Sequence, residues 1–429
     1  MLRFSRRLVL TLLVLAVIVT LIAGCASSVT PTPTQTAPPK TAATAPASTA
    51  PTKGAEATRP AAASPTPAPA AAKPAGATGT PYKIGANYML SATGGTAIGV
   101  DYKAGMDIAV EMLNAKGGIN GRPIQVVYYD NENSQDKAIQ LGKKMIQEDK
   151  VLGMVTDRTA QALALGPLIE ESGVVLINAT GGFDATKDKK WVFQNVPREE
   201  IESDVLSEHV KNNLKVKNVA IVHDENQYGT TGAKINAEVA EKKGLKVTAD
   251  IPYNNNSPDL STEVTRAKAS GAEALIIWGI PPGPANVAKA ARNMGWNVPL
   301  VGSVATANPV LIQLAGPAVE GMTFTAWFDT ENPDKDDKPF VDAYVKKFNK
   351  TPGIFSALGW DSVLLLAEGI KKGGDDRAKI RDAIENLKGF VGVVGEYNMS
   401  PTDHNGLTAE SILLTQIKDG KWTVFKQTR

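Results

Sequence analysis

From Tyr82 onward the chain alternates short apolar runs with longer stretches in which apolar residues recur every three or four positions. The first pattern is that of buried strands and the second that of amphipathic helices. Tyr82–Tyr88 reads as a strand, followed by a polar segment at 91–96 and a helix over 99–115. Ile108, Ala109, Met112 and Leu113 form the buried stripe of that helix, and Gly117-Gly118 end it. Ile124–Asp130 is the next strand and 134–148 the next helix. The stretch 151–182 then runs strand, polar cluster, helix, strand, polar cluster, which implies a parallel crossover. Its clusters, Thr156-Asp157-Arg158-Thr159 and Asn178-Ala179-Thr180-Gly181-Gly182, both follow strands. They therefore fall on the carboxyl edge of the sheet, where open α/β sheets bind ligands. The first also opens a helix, whose free N–H groups and dipole favour an anion. The two turns read as half of a ligand cleft.

The alternation restarts near residue 198, with strands ending at Asp224, Ile251 and Trp278 and a fourth around Val301. Tyr228-Gly229 leads into a helix stopped by Gly244, and Ser257-Pro258 reads as another helix start, serine as cap and proline in the first turn. The fold class is therefore α/β, two doubly wound Rossmann-like units without a sequence repeat between them. Helices are expected at 338–349, 355–372 and 375–387, covering the first lobe. Strands at 390–395, 411–418 and 421–426 are expected to join the second.

The two ends of the chain differ in chemistry. Arg3, Arg6 and Arg7 precede an apolar core at 8–22, about fifteen residues long and short for a stable span, so 1–24 reads as a signal peptide for the general secretory route. Leu21-Ile22-Ala23-Gly24-Cys25 resembles the lipobox of bacterial lipoproteins, which implies lipidation of Cys25 and a lipid-anchored, extracytoplasmic protein. Residues 25–80, almost wholly Ala, Pro, Thr, Ser and Gly past the cysteine, cannot bury a core and read as a disordered linker. As a flexible coil, about 55 such residues reach roughly 40 Å.

Charge divides at the same place. The first 80 residues carry seven of the 46 Lys/Arg and one of the 44 acids, which leaves 39 basic and 43 acidic residues to the folded part. A mildly acidic body without a basic run argues against nucleic acid and against an anionic membrane surface. Cys25 is the only cysteine, so the globular part has no disulfide, thiol nucleophile or cysteine metal site. His209, His223 and His404 are widely spaced, which argues against zinc. Neither a GxSxG elbow nor a GxxxxGK[ST] loop is present; no catalytic residue, metal or cofactor is expected.

Several segments together carry a family resemblance: 114–123 (NAKGGINGRP) with Asp130, 167–173 (PLIEESG), 224–229 (DENQYG), Ala315-Gly316, and Glu320-Gly321-Met322. In this order and spacing they resemble the type I periplasmic binding proteins, specifically the branched-chain amino acid (leucine/isoleucine/valine) binding proteins of ABC importers. The resemblance covers residues 82–429. It implies two lobes, 81–196 with 326–393 and 197–325 with 394–429, joined by three crossings near 195–198, 323–329 and 394–399. Hinge closure would bury a small molecule between them. The implied partners are a small-molecule ligand and a permease–ATPase complex, with the membrane met only through the lipid anchor and a monomer as the working state. A sensor handing its ligand to a membrane receptor is the alternative the fold also allows.

Carried over residue by residue, the carboxylate-binding positions match Thr159 and Ala160, the second loop matches Thr180, Gly181 and Gly182, and the second-lobe tyrosine matches Tyr228. Thr159 also reads as a plain helix N-cap, Tyr228 as packing at the hinge edge, and Gly181-Gly182 as a tight turn. Three positions depart from the family. Val304 stands where an acid usually holds the ligand ammonium, and an uncompensated ammonium in a closed cleft is costly. Ile280-Pro281-Pro282 replace aromatic residues after the strand ending at Trp278, and Thr96-Ala97-Ile98 bring no aromatic to the first loop. The expectation is a more apolar pocket that also involves Tyr88, Trp278, Pro281 and Val304, with Asp184 or Tyr88 as substitutes for the missing acid. The expected ligand has a carboxylate or amide and an apolar body.

Overall fold

The computed structural model describes residues 77–91, 96–181, 185–307, 309–329 and 333–427. The signal peptide, Cys25, nearly all of the linker, Gly182 and Asp184 lie outside the described residues.

The first half folds as β1 (Tyr82–Tyr88), α1 (Thr96–Ala115), β2 (Ile124–Asp130), α2 (Gln135–Lys144), β3 (Gly153–Thr156), α3 (Thr159–Ser172), β4 (Val175–Asn178) and β5 (Val192–Gln194). These five strands form a wholly parallel sheet in the order β2-β1-β3-β4-β5. β3 and β4 are buried at every position, because helices cover both faces of a parallel sheet. Thr156 pairs with Asn178, so the two polar clusters emerge side by side at the carboxyl edge.

The second half runs α4 (Glu199–Glu208), β6 (Asn218–Asp224), α5 (Gln227–Lys242), β7 (Lys246–Tyr253), α6 (Ser261–Ala269), β8 (Ala274–Trp278), α7 (Gly283–Asn293), β9 (Leu300–Gly302), α8 (Pro309–Ala315) and β10 (Thr323–Ala326). After these come α9 (Lys338–Phe348), α10 (Ile354–Gly373), α11 (Arg377–Glu385), the short β11 (Phe390–Val391) and β12 (Glu396–Tyr397), then β13 (Leu413–Lys418) and β14 (Lys421–Gln427). The second sheet has the order β14-β13-β10-β9-β8-β6-β7, parallel from β7 to β10 and antiparallel beyond.

The three late helices sit on the first lobe, where Tyr344, Leu358, Leu366, Ile370 and Ile380 share a core with Ile84, Val155 and Ile177. α1 and α10 cross closely at two glycines. A Cβ on Gly105 would lie 1.8 Å from the Ser356 carbonyl oxygen, and one on Gly359 would lie 2.1 Å from that of Tyr102. Only glycine fits at either crossing point.

Three expectations are corrected. The segment 390–395 does not join the second sheet; its β11 pairs only with β12. Val394, Tyr397, Met399 and Leu407 pack in the first lobe's core, so the tail joins the second sheet at β13 and not at 394. The helix expected from Ser257 starts at Ser261, because the Asp259 carboxylate accepts from both the Ser261 N–H and its hydroxyl and holds the chain in a turn.

Candidate functional site

Each sheet reverses its strand order once, β3 lying beyond β1 from β2 and β8 beyond β6 from β7. A crevice opens at such a point, outside the carboxyl ends of the strands. On the first lobe the crevice lies between β1 and β3. Asp157, wholly buried after β3, accepts the Met89 N–H at 3.3 Å through Oδ2 and draws the two loops together. Burial pushes its carboxyl up, against the pull of Arg158 beside it.

Arg158 takes the cap position of α3 in an extended conformation and makes no side-chain cap. Thr159 is therefore the first helical residue and not the N-cap. Its hydroxyl donates to the Gly181 carbonyl and ties α3 to the loop after β4, while Asn178 Nδ2 holds the Thr180 carbonyl at 2.9 Å. Among the described residues the first-turn N–H groups of α3 have no side-chain acceptor, and Arg158 borders the same cavity. An anion suits that combination.

On the second lobe the crevice lies between β6 and β8. Asn226 caps α5, accepting the Gly229 N–H at 2.8 Å, and its Nδ2 donates to Asp224 at 2.7 Å. The cap fixes Tyr228, whose ring leans on Trp278 with centroids 5.8 Å apart and whose hydroxyl donates to Ser303 Oγ at 3.3 Å. α4 brings two buried acids to the same place, Glu199 and Glu202.

Thr159, Ala160, Thr180 and Tyr228 line one cavity of about 310 Å³, together with Arg158 and Asp224. Thr180 and Tyr228 also line an inner pocket of about 30 Å³, where Gly181 and Val304 join Glu199 and Glu202. A third cavity, of about 680 Å³, meets the first at Ile98 and Ile280 and is bordered by Pro281, Val310 and Phe328. The expected apolar pocket is thus only half right. The part beside Thr159 is rich in amides (Asn133, Gln161, Asn226 and 254–256), and the apolar walls lie beyond Ile280.

Tyr88 and Trp278 are corrected to core residues. Both are wholly buried and border none of these cavities. The Tyr88 ring lies tilted at 50° against that of Tyr102 with centroids 5.4 Å apart, and the Trp278 indole fills the space above Gly232. Among the described residues Tyr88 Oη is buried without a partner, so Tyr88→Phe is expected to keep ligand affinity within about twofold and to leave stability unchanged or raised by up to about 1 kcal/mol, read by calorimetry and thermal melts.

Sequence reasoning missed Arg158 as the cleft's cation and Glu199 and Glu202 as its acids. The signal available for the acids was the i,i+3 spacing of Glu199 and Glu202 just after Pro197-Arg198.

Two α/β lobes whose switch points face one cleft, with an anion cradle on one side and an aromatic wall and buried acids on the other, define a two-lobed solute-binding protein. The chain belongs to the periplasmic binding protein family, whose profile matches residues 81–421. It is 26% identical over 287 residues to the leucine-, isoleucine-, valine-, threonine- and alanine-binding protein of Pseudomonas aeruginosa, covering 66% of this chain and 76% of that one. The crystal structure of the leucine binding protein LivK from Thermotoga maritima superposes with a TM-score of 0.73 at 24% identity, over 80% of this chain and 97% of that one. The branched-chain amino acid transporter substrate binding protein LivJ from Streptococcus pneumoniae, in complex with isoleucine, does so with a TM-score of 0.71 at 25% identity, over 80% and 98%. Among the described residues no helix is long and apolar enough to cross a membrane.

Proposed function

We propose that the protein captures a branched-chain amino acid, or a related small apolar carboxylate or amide, between its lobes and delivers it unchanged to the permease and ATPase of an ABC importer. The lobes comprise 81–196 with the helices of 326–393, and 197–325 with the terminal strands, and they rotate about the three crossings between them. The ligand carboxylate sits on the first turn of α3 at Thr159 and Ala160 beside the Thr180–Gly182 loop, and Tyr228 closes over it from the second lobe. Cys25 carries the lipid anchor, and the linker lets the binder work as a monomer outside the cytoplasm.

The observation that carries this reading is the uncapped start of α3 with Arg158, tied by Thr159 to Gly181 and lying beside Tyr228 in one cavity. The leucine-, isoleucine- and valine-binding relatives support the ligand class. Micromolar binding corresponds to about −8 kcal/mol, within reach of a few charge-assisted hydrogen bonds and an apolar contact.

Titration calorimetry with leucine, isoleucine, valine and 4-methylpentanoate tests the reading. At least one is expected to bind with a dissociation constant of about 0.1–10 μM and, at about 100-fold excess over that constant, to raise the melting temperature by several degrees. Heat and melting curves unmoved by all four would remove the ligand class from consideration.

A further inference from the structure

Position 304 carries a valine, yet the place is not without an acid. The Val304 N–H donates to Glu202 Oε1 at 2.6 Å, and the Thr325 hydroxyl donates to the same oxygen. Glu202 comes from α4, the helix that enters the second lobe, and is only 4% exposed. Its second oxygen accepts no hydrogen bond, and no lysine, arginine or histidine pairs with it, among the described residues. The side chain borders the inner pocket of about 30 Å³, which is room for one small polar group. Thr180 and Tyr228 line both this pocket and the cavity over α3, so the two spaces are adjoining compartments of one cleft. A ligand whose carboxylate lies on the α3 N–H groups can place a neighbouring substituent in the inner pocket.

We propose that Glu202 accepts the α-ammonium of the ligand, with α4 supplying to the pocket beside Val304 the acid that residue 304 does not provide. The proposal rests on the capture reading above and specifies its ligand: an amino acid, bound as a zwitterion, in preference to its des-amino acid. Val304 N–H and Thr325 hold the carboxylate in place, and its free oxygen meets the ammonium. Burial pushes the Glu202 carboxyl up to about 7, with Thr325 and Val304 pulling the other way. The other titratable groups bordering the pocket are Glu199 on the same helix, Tyr228 on α5 and Tyr102 on α1. The loop after β9 and strand β10 face Glu202 with Val304 and Thr325, neither of which titrates. An ammonium entering near neutral pH therefore displaces a proton from Glu202.

Calorimetry of the full-length protein with leucine and 4-methylpentanoate, in two buffers of different ionisation heat near pH 6.5, counts that proton. Wild type is expected to release roughly three-quarters of a proton per leucine and none with 4-methylpentanoate. Glu202→Gln keeps an acceptor for Val304 and Thr325 and removes the charge. It is expected to weaken leucine about 30-fold or more, abolish the proton release, and leave 4-methylpentanoate within about threefold.

Leucine binding to wild type that neither releases a proton near pH 6.5 nor weakens between pH 8 and pH 4 overturns the proposal with no variant needed. So does a Glu202→Gln protein that binds leucine as tightly as wild type, or a wild type that takes 4-methylpentanoate and refuses leucine. Those three results leave carboxylate capture standing. If leucine, isoleucine, valine and 4-methylpentanoate all fail to bind, the capture reading falls as well.

Discussion

Asp361→Ala is expected to lower the unfolding midpoint by roughly 5–10 °C, the largest loss from any single side chain near the crossings between the lobes. Asp361 lies wholly buried in α10 and accepts three hydrogen bonds from the chain that passes beneath it. Its Oδ1 accepts the Val393 N–H at 2.9 Å, and its Oδ2 accepts the Val394 N–H at 3.0 Å and the Tyr397 hydroxyl at 2.9 Å. The Tyr397 hydroxyl also lies 3.1 Å from the Asn195 carbonyl, at the first crossing. Alanine strands two buried N–H groups, leaves the Tyr397 hydroxyl only the Asn195 carbonyl, and opens a void, for a loss of about 3–5 kcal/mol.

The pH dependence gives this prediction a second handle. Burial raises the Asp361 carboxyl to about 6, against the hydrogen bonds from Val394, Val393 and Tyr397. Because the folded value lies above the unfolded one, its contribution is complete below the ordinary aspartate range and declines as pH rises through about 6. The gap between wild type and Asp361→Ala should therefore be about 1 kcal/mol wider near pH 5 than near pH 8. Thermal melts across that range read both effects. A gap that widens toward alkaline pH would mean that the ionised carboxylate is the form the fold prefers.

Asp361 also shows where the sequence withholds information. An aspartate inside the run ALGWDSVLLL announces a polar group on an apolar helix, but its partners lie more than thirty residues further along the chain. The sheets were legible because each strand is a short apolar run that ends in a polar cluster, a local signal. The pairing of Thr156 with Asn178 follows from two consecutive strands of equal length, so the sequence alone puts the Thr159 and Thr180 turns together. Which aromatic residue at a strand end faces the cleft is a different matter. Tyr88 and Trp278 end strands at the correct edge and still point into packed interior, since the side a residue faces depends on the helices laid across it.

Glu202 was hidden for the opposite reason. EEIESDVLSE looks like a solvated helix, and the arrival of Val304 and Thr325 from the far side of the lobe takes Glu202 out of water. A missing acid at one position and a surplus acid a hundred residues earlier are a single fact in space and two unrelated facts in sequence.

The second large effect is expected at Gly181, which lies against Glu199 and Tyr228. A Cβ built on Gly181 would lie 2.1 Å from a Glu199 carboxylate oxygen and 3.0 Å from Tyr228 Cε2. Gly181 belongs to the first lobe's loop after β4, whereas Glu199 and Tyr228 belong to α4 and α5 of the second. The added methyl group is therefore a wedge between the halves and leaves each half's own packing intact. Neither obstacle can step aside freely, because Glu199 is 2% exposed and the Tyr228 ring is held between Trp278 and Ser303. Gly181→Ala should thus open the closed state at a cost of about 1–3 kcal/mol, raising the dissociation constant of the bound amino acid about 10- to 100-fold. The melting temperature of the ligand-free protein should move by less than about 2 °C, since the strain arises only where the halves touch. Calorimetry and melts of the same preparation separate these two effects. Unchanged affinity would mean that the loop after β4 has room to retreat, and that closure does not depend on the contact between Gly181 and Tyr228.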